Sequence, residues 1–286
     1  MILQLIVTGI VFGCKYALLA VSFGIIFKVT KTFHFAHASI YTVGAYCSFL
    51  LFQRLRIPLG LSLILGIIGA SLAGWIVESL LYKPLRRINA THEAILIASL
   101  GLMIVIEMLI ILFVGDGPQT VGYNSKLFTL GNIAFTSIQV YSVVTGVVLI
   151  VTLLWFLAKT KMGRTMEAVA DNPELADLVG IGVDRIFNYA FLIGSGLAGV
   201  AAVLALLDKG IDPFAGTMPA TMAFIAVIMG GVESILGGAL AGFILGIAIN
   251  LCVIGFSSEW QYLVTFLLVI ILIIIRPQGL LMRRRG

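Results

Sequence analysis

Charge is what this sequence has least of. Only 11% of its residues are Asp, Glu, Lys or Arg, against roughly 25% in a soluble domain. The apolar share is 60% and the mean hydropathy is +1.14. A single soluble core cannot hide that much apolar surface in 286 residues, whereas lipid as the solvent removes the difficulty. Cysteine is scarce too: Cys14, Cys47 and Cys252 all fall in apolar runs with no C-x-x-C, which excludes a disulfide framework and a zinc site and leaves small packing residues. There is no G-x-x-x-x-G-K-[ST], so the chain has no phosphate-cradling loop of its own. No nucleophile–base or paired-carboxylate arrangement supports an enzyme. The net charge of +5 is small and gathers on one face, which reads as membrane orientation rather than nucleic-acid binding. The first apolar run lacks a basic n-region and an A-x-A cleavage site and is longer than a signal-peptide core, so it is expected to be a retained helix.

What is present is a series of apolar runs at 2–27, 35–52, 59–82, 94–114, 140–158, 186–207, 219–232, 236–255 and 262–275. A helix needs about 20 residues to cross about 30 Å of hydrocarbon. Most of the runs qualify, and 219–232 is short enough to suggest a re-entrant or broken helix. The expected fold is all-α: one polytopic transmembrane bundle over 1–286, with eight or nine spanning elements. If Arg283, Arg284 and Arg285 are cytoplasmic, alternation puts 13 of the 18 basic residues in inner segments. Four fall outside (Arg54, Arg56, Lys126 and Lys209), and Lys15 lies within the first span. This is the positive-inside pattern. Small residues at Gly238, Gly242 and Gly246, at Gly66, Ala70 and Gly74, and at Ser195 and Gly199 predict close helix packing within the chain.

Two loops carry local signals. In 115–139, Asp116-Gly117-Pro118 and Gly131-Asn132 are turn signals compatible with a short hairpin. In the cytoplasmic loop 159–187, Asn172 is a good N-cap, Pro173 fits the first helical position, and Glu174 favours the helix dipole. Leu175, Leu178 and Val179 share a face, with Met166 and Val169 upstream, and Gly180 and Gly182 can end the helix. A helix of about two turns is marginal alone, so a membrane surface or a partner's groove must hold it.

The order of several motifs in the chain resembles that of LivH-type permeases, the membrane subunits of branched-chain amino-acid ABC transporters. The loop K-M-G-R…A-x-A-D-N…G-I-x-x-D-R is similar to that family's cytoplasmic loop. So are Tyr16-Ala17-Leu18, His34-Phe35-Ala36-His37, Tyr82-Lys83-Pro84-Leu85-Arg86, Ser99-Leu100-Gly101, Gly230-Gly231…Gly237-Gly238 and Arg276-Pro277-Gln278-Gly279 to its other motifs. Departures occur at His34, Ala38, Glu233 and Lys15, where the family usually has Asn, Gly, Gly and a small or polar residue. The resemblance implies a bacterial inner-membrane importer subunit with no cofactor of its own. Its partners would be a second related permease, two ATPase subunits that bind ATP, and a periplasmic substrate-binding protein. The substrates it implies are small amino acids, with urea, amides or small carboxylates also within the subfamily.

Polar residues inside apolar runs are costly and suggest a pathway. Lys15, His34, His37, Glu107 and Glu233 are the candidates. Lys15 and Glu107 sit at similar depth and are expected either to pair or to share a polar cavity. His34 and His37, at i and i+3 on a helix face, form a poor metal site and suit a polar packing or gating cluster better. Glu78 is within reach of Lys83, Arg86 and Arg87, and Asn250 is expected to hydrogen-bond between helices. The alternative function is a gradient-driven secondary transporter or channel, which would not need the amphipathic cytoplasmic helix.

Overall fold

The computed structural model describes residues 2–131 and 133–252, together with Trp260, Leu263, Phe266, Leu267 and Ile270. In chain order the elements are α1 (Ile2–Thr30), α2 (His37–Gln53), α3 (Leu59–Val77), α4 (Lys83–Arg87), α5 (His92–Val114), strands β1 (Leu127–Leu130) and β2 (Ile133–Thr136), α6 (Ser137–Lys159), α7 (Lys161–Asp171), α8 (Pro173–Leu178), α9 (Val183–Lys209), α10 (Thr217–Gly230) and α11 (Ile235–Cys252). Helices dominate because hydrocarbon offers no partner to a free N–H or C=O, so each spanning segment must satisfy its own backbone. Among the described residues six helices are long and apolar enough to span: α1, α3 continued through α4, α5, α6, α9 and α11. The expected eight or nine are therefore not all found. α2 has 17 residues and α10 only 14. The run 262–275 lies outside the described residues apart from four positions, as do Arg276–Gly279 of the motif series and Arg283 to Arg285.

The prolines explain several boundaries. Pro58 precedes α3, Pro173 opens α8, and Pro219 sits in the first turn of α10, where a missing N–H costs nothing. Pro84 is different, because it falls inside one continuous helical rod. There a π-helical turn, Glu78–Tyr82, widens the coil just ahead of it, with Lys83 N–H bonding to Glu78 C=O. The turn brings Glu78 and Tyr82 together on the buried side.

Two helices form the centre. The most apolar window of α1 is 78% buried by protein and that of α9 72%, whereas those of α5 and α6 are 17% buried and face outward. α1 and α11 touch through glycine: a Cβ on Gly246 would lie 2.2 Å from Gly13 N, and one on Gly242 2.8 Å from Ala17 N. Gly66, Ala70 and Gly74 of α3 meet Ser48 and Gly44 of α2 and Ser195 and Gly199 of α9 in the same way. The small-residue stripes are intramolecular, as the sequence predicts. Among the described residues Asn250 bonds within its own helix: its Nδ2 donates to Gly246 C=O at 2.8 Å, one turn back on α11. The close approach of α1 brings a glycine, Gly9, rather than a polar partner to that position.

Contacts divide the bundle into two end faces. On the basic face, Lys83 Nζ lies 2.9 Å from Asp184 Oδ2, and Lys28 Nζ lies 3.9 Å from Glu167 Oε1. On the opposite face the amide of Gln4 clasps the backbone of Ala134 at 2.8 Å in both directions, and Gln119 bridges Ile211. The hairpin suggested by the turn signals forms there, with Leu130 paired to Ile133. Its exit is capped by Thr136, whose side chain and that of Gln139 make a reciprocal capping box for α6.

Candidate functional site

One cavity opens near each end of α1. The first, about 410 Å³, lies between α1, α2, the loop after α5, the end of α9, the connecting segment 210–216 and the start of α10. Lys15, Asp208, Lys209 and Asp212 are its charged lining. Lys15 Nζ donates to Asp208 Oδ2 at 2.7 Å, with side chains 15% and 8% exposed. The Phe12 ring lies under both ammonium groups, 5.8 Å from Lys15 Nζ and 5.0 Å from Lys209 Nζ. The second cavity, about 330 Å³, lies at the basic face between α1, the end of α6, α7 and the α10–α11 turn, lined by Lys28, Glu167 and Glu233 among others.

Between the two cavities α1 is closed off. Every residue from Ala17 to Phe27 is buried, and Lys15 and Lys28 stand about 20 Å apart along the axis. Aromatic and polar side chains form the plug. Phe23 meets Phe224 edge-on at 4.4 Å between centroids and His37 at 6.1 Å. Ser22 Oγ donates to Gly194 C=O at 2.7 Å, so its oxygen accepts from His37 Nε2–H at 2.8 Å. Tyr82 OH donates to Ser99 Oγ and accepts from His34 Nδ1–H, both at 2.7 Å, and Ser99 Oγ also accepts from Ala36 N–H. One network thus joins the α1–α2 connection to α4's approach and to α5.

Histidines 34 and 37 therefore belong to a polar packing cluster, but not on a shared helix face. His34 lies in the non-helical connection and His37 is the first residue of α2. Their ring centroids are 5.5 Å apart, and each uses a different partner. Among the described residues no group of three or more His, Cys, Asp or Glu is placed to hold a metal ion.

The Lys15–Glu107 pair does not form. Lys15 takes Asp208, and Glu107 Oε1 accepts from Thr217 Oγ1 at 3.2 Å at the start of α10. The physical reason is lateral: α1 packs on α9, whereas α5 packs on α2 and meets the start of α10 at Thr217. Similar depth did not imply the same side. Asp208 was hidden from the sequence reading because it lies one residue beyond the apolar run 186–207. Glu233 is separated from Lys15 as well, since it lines the cavity at the basic face.

The basic face carries the loop signals. Asn172 Oδ1 accepts from Leu175 N–H at 3.0 Å, Pro173 opens α8, and Gly180 has φ +85° just past its end. Leu175, Leu178 and Val179 are 59%, 82% and 76% exposed. Met166 and Val169 do not join that surface. They are buried on α7, a helix the sequence reading missed although Thr160 caps it by accepting from Gly163 N–H at 3.0 Å. α7 anchors the loop under α1 and α9, and α8 projects from it.

Glu78 is buried and pairs through both oxygens with Arg86, whose guanidinium lies 4.5 Å over the Phe187 ring. Removing Arg86 strands a buried carboxylate. Arg86→Met is expected to cost about 3–5 kcal/mol, and Glu78→Gln with Arg86→Met less than that single change. Thermal unfolding in detergent checks this; a single variant as stable as the double means that the pair holds nothing together.

Residues 5–273 match the family described as branched-chain amino acid transport system / permease component. The chain is 31% identical over 300 residues to the high-affinity branched-chain amino acid transport system permease protein LivH of Escherichia coli (strain K12), covering 98% of this chain and 96% of that one. It is 28% identical to BraD, the corresponding permease protein of Pseudomonas aeruginosa, with the same coverages. The fructose import permease protein FrcC of Rhizobium meliloti is 31% identical over 78% of this chain and 64% of its own length. Among solved structures, PsaBC from Streptococcus pneumoniae in complex with Fab superposes with a TM-score of 0.55 at 13% identity, over 95% of this chain and 91% of that one, a likeness of fold.

Proposed function

The chain belongs to the family of permease components of branched-chain amino acid transport systems, and from that premise we propose that it forms half of the pathway by which branched-chain or other small amino acids cross the membrane. It is a multi-pass membrane protein and the permease subunit of an ABC importer, not a gradient-driven carrier. The observation that carries the proposal is α8. A six-residue helix holding three apolar side chains out from the basic face has no reason to persist unless another surface covers them. Lacking a phosphate loop, the chain needs an ATPase, and α8 with Asn172, Pro173, Glu174, Leu175, Leu178 and Gly180 is the docking element for one.

The remaining assembly follows from the faces. The basic end is cytoplasmic by the positive-inside rule, with two ATPase subunits below it, and likeness to bacterial permeases supports the inner membrane as the location. The hairpin end faces the periplasm and receives a substrate-binding protein. A second related permease completes the pathway, and the outward sides of α3, α5 and α6 meet it or lipid.

Purification tests this. The isolated chain is expected to hydrolyse no ATP, whereas the chain drawn from its host brings an ATPase with it. Proteoliposomes of that complex, given the binding protein, are expected to take up L-leucine only with internal ATP. Leucine uptake that survives ATP depletion and collapses with an ionophore overturns the reading.

A further inference from the structure

Resting on that reading, we infer that the cavity between Lys15 and Asp208 is a binding site for the zwitterionic head of an α-amino acid, the carboxylate taken by Lys15 and the ammonium by Asp208. Its charged lining is balanced, with Lys15 and Lys209 against Asp208 and Asp212. An anion or a cation entering it leaves one charge uncompensated at a depth where such charges are costly. A neutral sugar offers nothing that replaces the 2.7 Å ion pair. A zwitterion inserted between Nζ and Oδ2 exchanges one charge-assisted contact for two and leaves the net charge unchanged.

The rest of the cavity fits the rest of the molecule. Leu19, Ala201, Ala205 and Met218 form an apolar wall beside the pair, and the two alanines leave room for an aliphatic side chain. The volume of about 410 Å³ lies in the range of about 300–1,000 Å³ usual for small-molecule sites. Tyr16 and Tyr41 add hydroxyls on the α1 and α2 sides. The cavity reaches Leu19 on α1 and stops short of Phe23 and its aromatic partners, so a molecule held here lies on the near side of the plug.

A purely structural ion pair makes the opposite prediction for a double variant. Lys15→Met with Asp208→Leu removes both charges and leaves none stranded, so a structural pair tolerates it. A binding pair does not. In proteoliposomes of the whole transporter with its binding protein, the double variant is expected to lose at least about tenfold in leucine uptake, the equivalent of one charge-assisted bond, with assembly and melting temperature retained. A second measurement needs no variant: tritiated L-leucine bound to the purified complex without the binding protein is displaced by L-leucine, and poorly by leucinamide or 4-methylpentanoate, each of which lacks one charge. Wild-type uptake by the double variant, absence of leucine binding, or equal competition by either analogue overturns the site while leaving the importer reading intact. A wild-type complex that carries no branched-chain or other small amino acid overturns both the site and the proposed substrate class.

Discussion

Replacing Leu178 by Asp is expected to abolish transport while the chain itself still inserts and folds. Leu178 is 82% exposed, so its own chain loses little, within about 0.5 kcal/mol. In the assembled importer the same position lies at the proposed ATPase contact, where an unpaired carboxylate costs several kcal/mol at about the upper limit. The two states therefore respond oppositely to one substitution. Co-purification of the ATPase should fail and ATP-driven uptake should vanish, with detergent melting of the isolated subunit unmoved. Ala176→Asp is the contrast: Ala176 is buried, so that change should destabilise the subunit directly. Normal uptake by Leu178→Asp reduces α8 to a surface anchor.

The second large effect is expected at Gly246. A Cβ there meets Gly13 N at 2.2 Å and Gly13 Cα at 2.3 Å, backbone against backbone, so no side chain can swing aside. Gly246→Leu must push α1 away from α11 along a contact where backbone meets backbone. Overpacking typically costs about 1–3 kcal/mol, and a contact with backbone belongs at or beyond the top of that range. Against a total stability of about 5–15 kcal/mol, loss of monodisperse folded protein is the expected result in detergent gel filtration. Gly101 in α5 has nothing within 4 Å of its missing Cβ, so Gly101→Ala should be neutral or stabilising. Equal behaviour of the two variants contradicts the α1–α11 packing.

Local chemistry makes part of this protein legible in its sequence. The Asn172 cap, Pro173 and the glycine after α8 are decided within a single turn, so they stand where the sequence put them. The Gly131-Asn132 hairpin signal and the Gly242–Gly246 spacing are equally local. Glu78 found Arg86 because the two lie eight residues apart on one rod. α7 is missed because Met166 and Val169 stand only as apolar residues upstream of α8; Thr160, three residues ahead of Gly163, is the signal that marks the helix start.

Pairings across long separations were another matter. Lys15 and Asp208 are 193 positions apart, and Tyr82 reaches His34 over 48. Which of the intramembrane charges meet depends on how each helix is rotated about its axis. In a helix such as α3 the small residues Gly66, Ala70 and Gly74 mark the packing face but do not say which helix covers it. The sequence by itself determined that the chain lives in lipid, which end of it is basic, roughly where the apolar helices lie, and that an amphipathic turn projects from the basic end. Lipid and the helix backbone impose these features on any chain of this composition. The tertiary structure alone decided that Lys15 belongs to Asp208 rather than Glu107, that Glu107 meets Thr217, and that α1 is sealed between two cavities. These follow from side-chain packing between helices, where glycine contacts set the distance and a shift of one residue changes every partner.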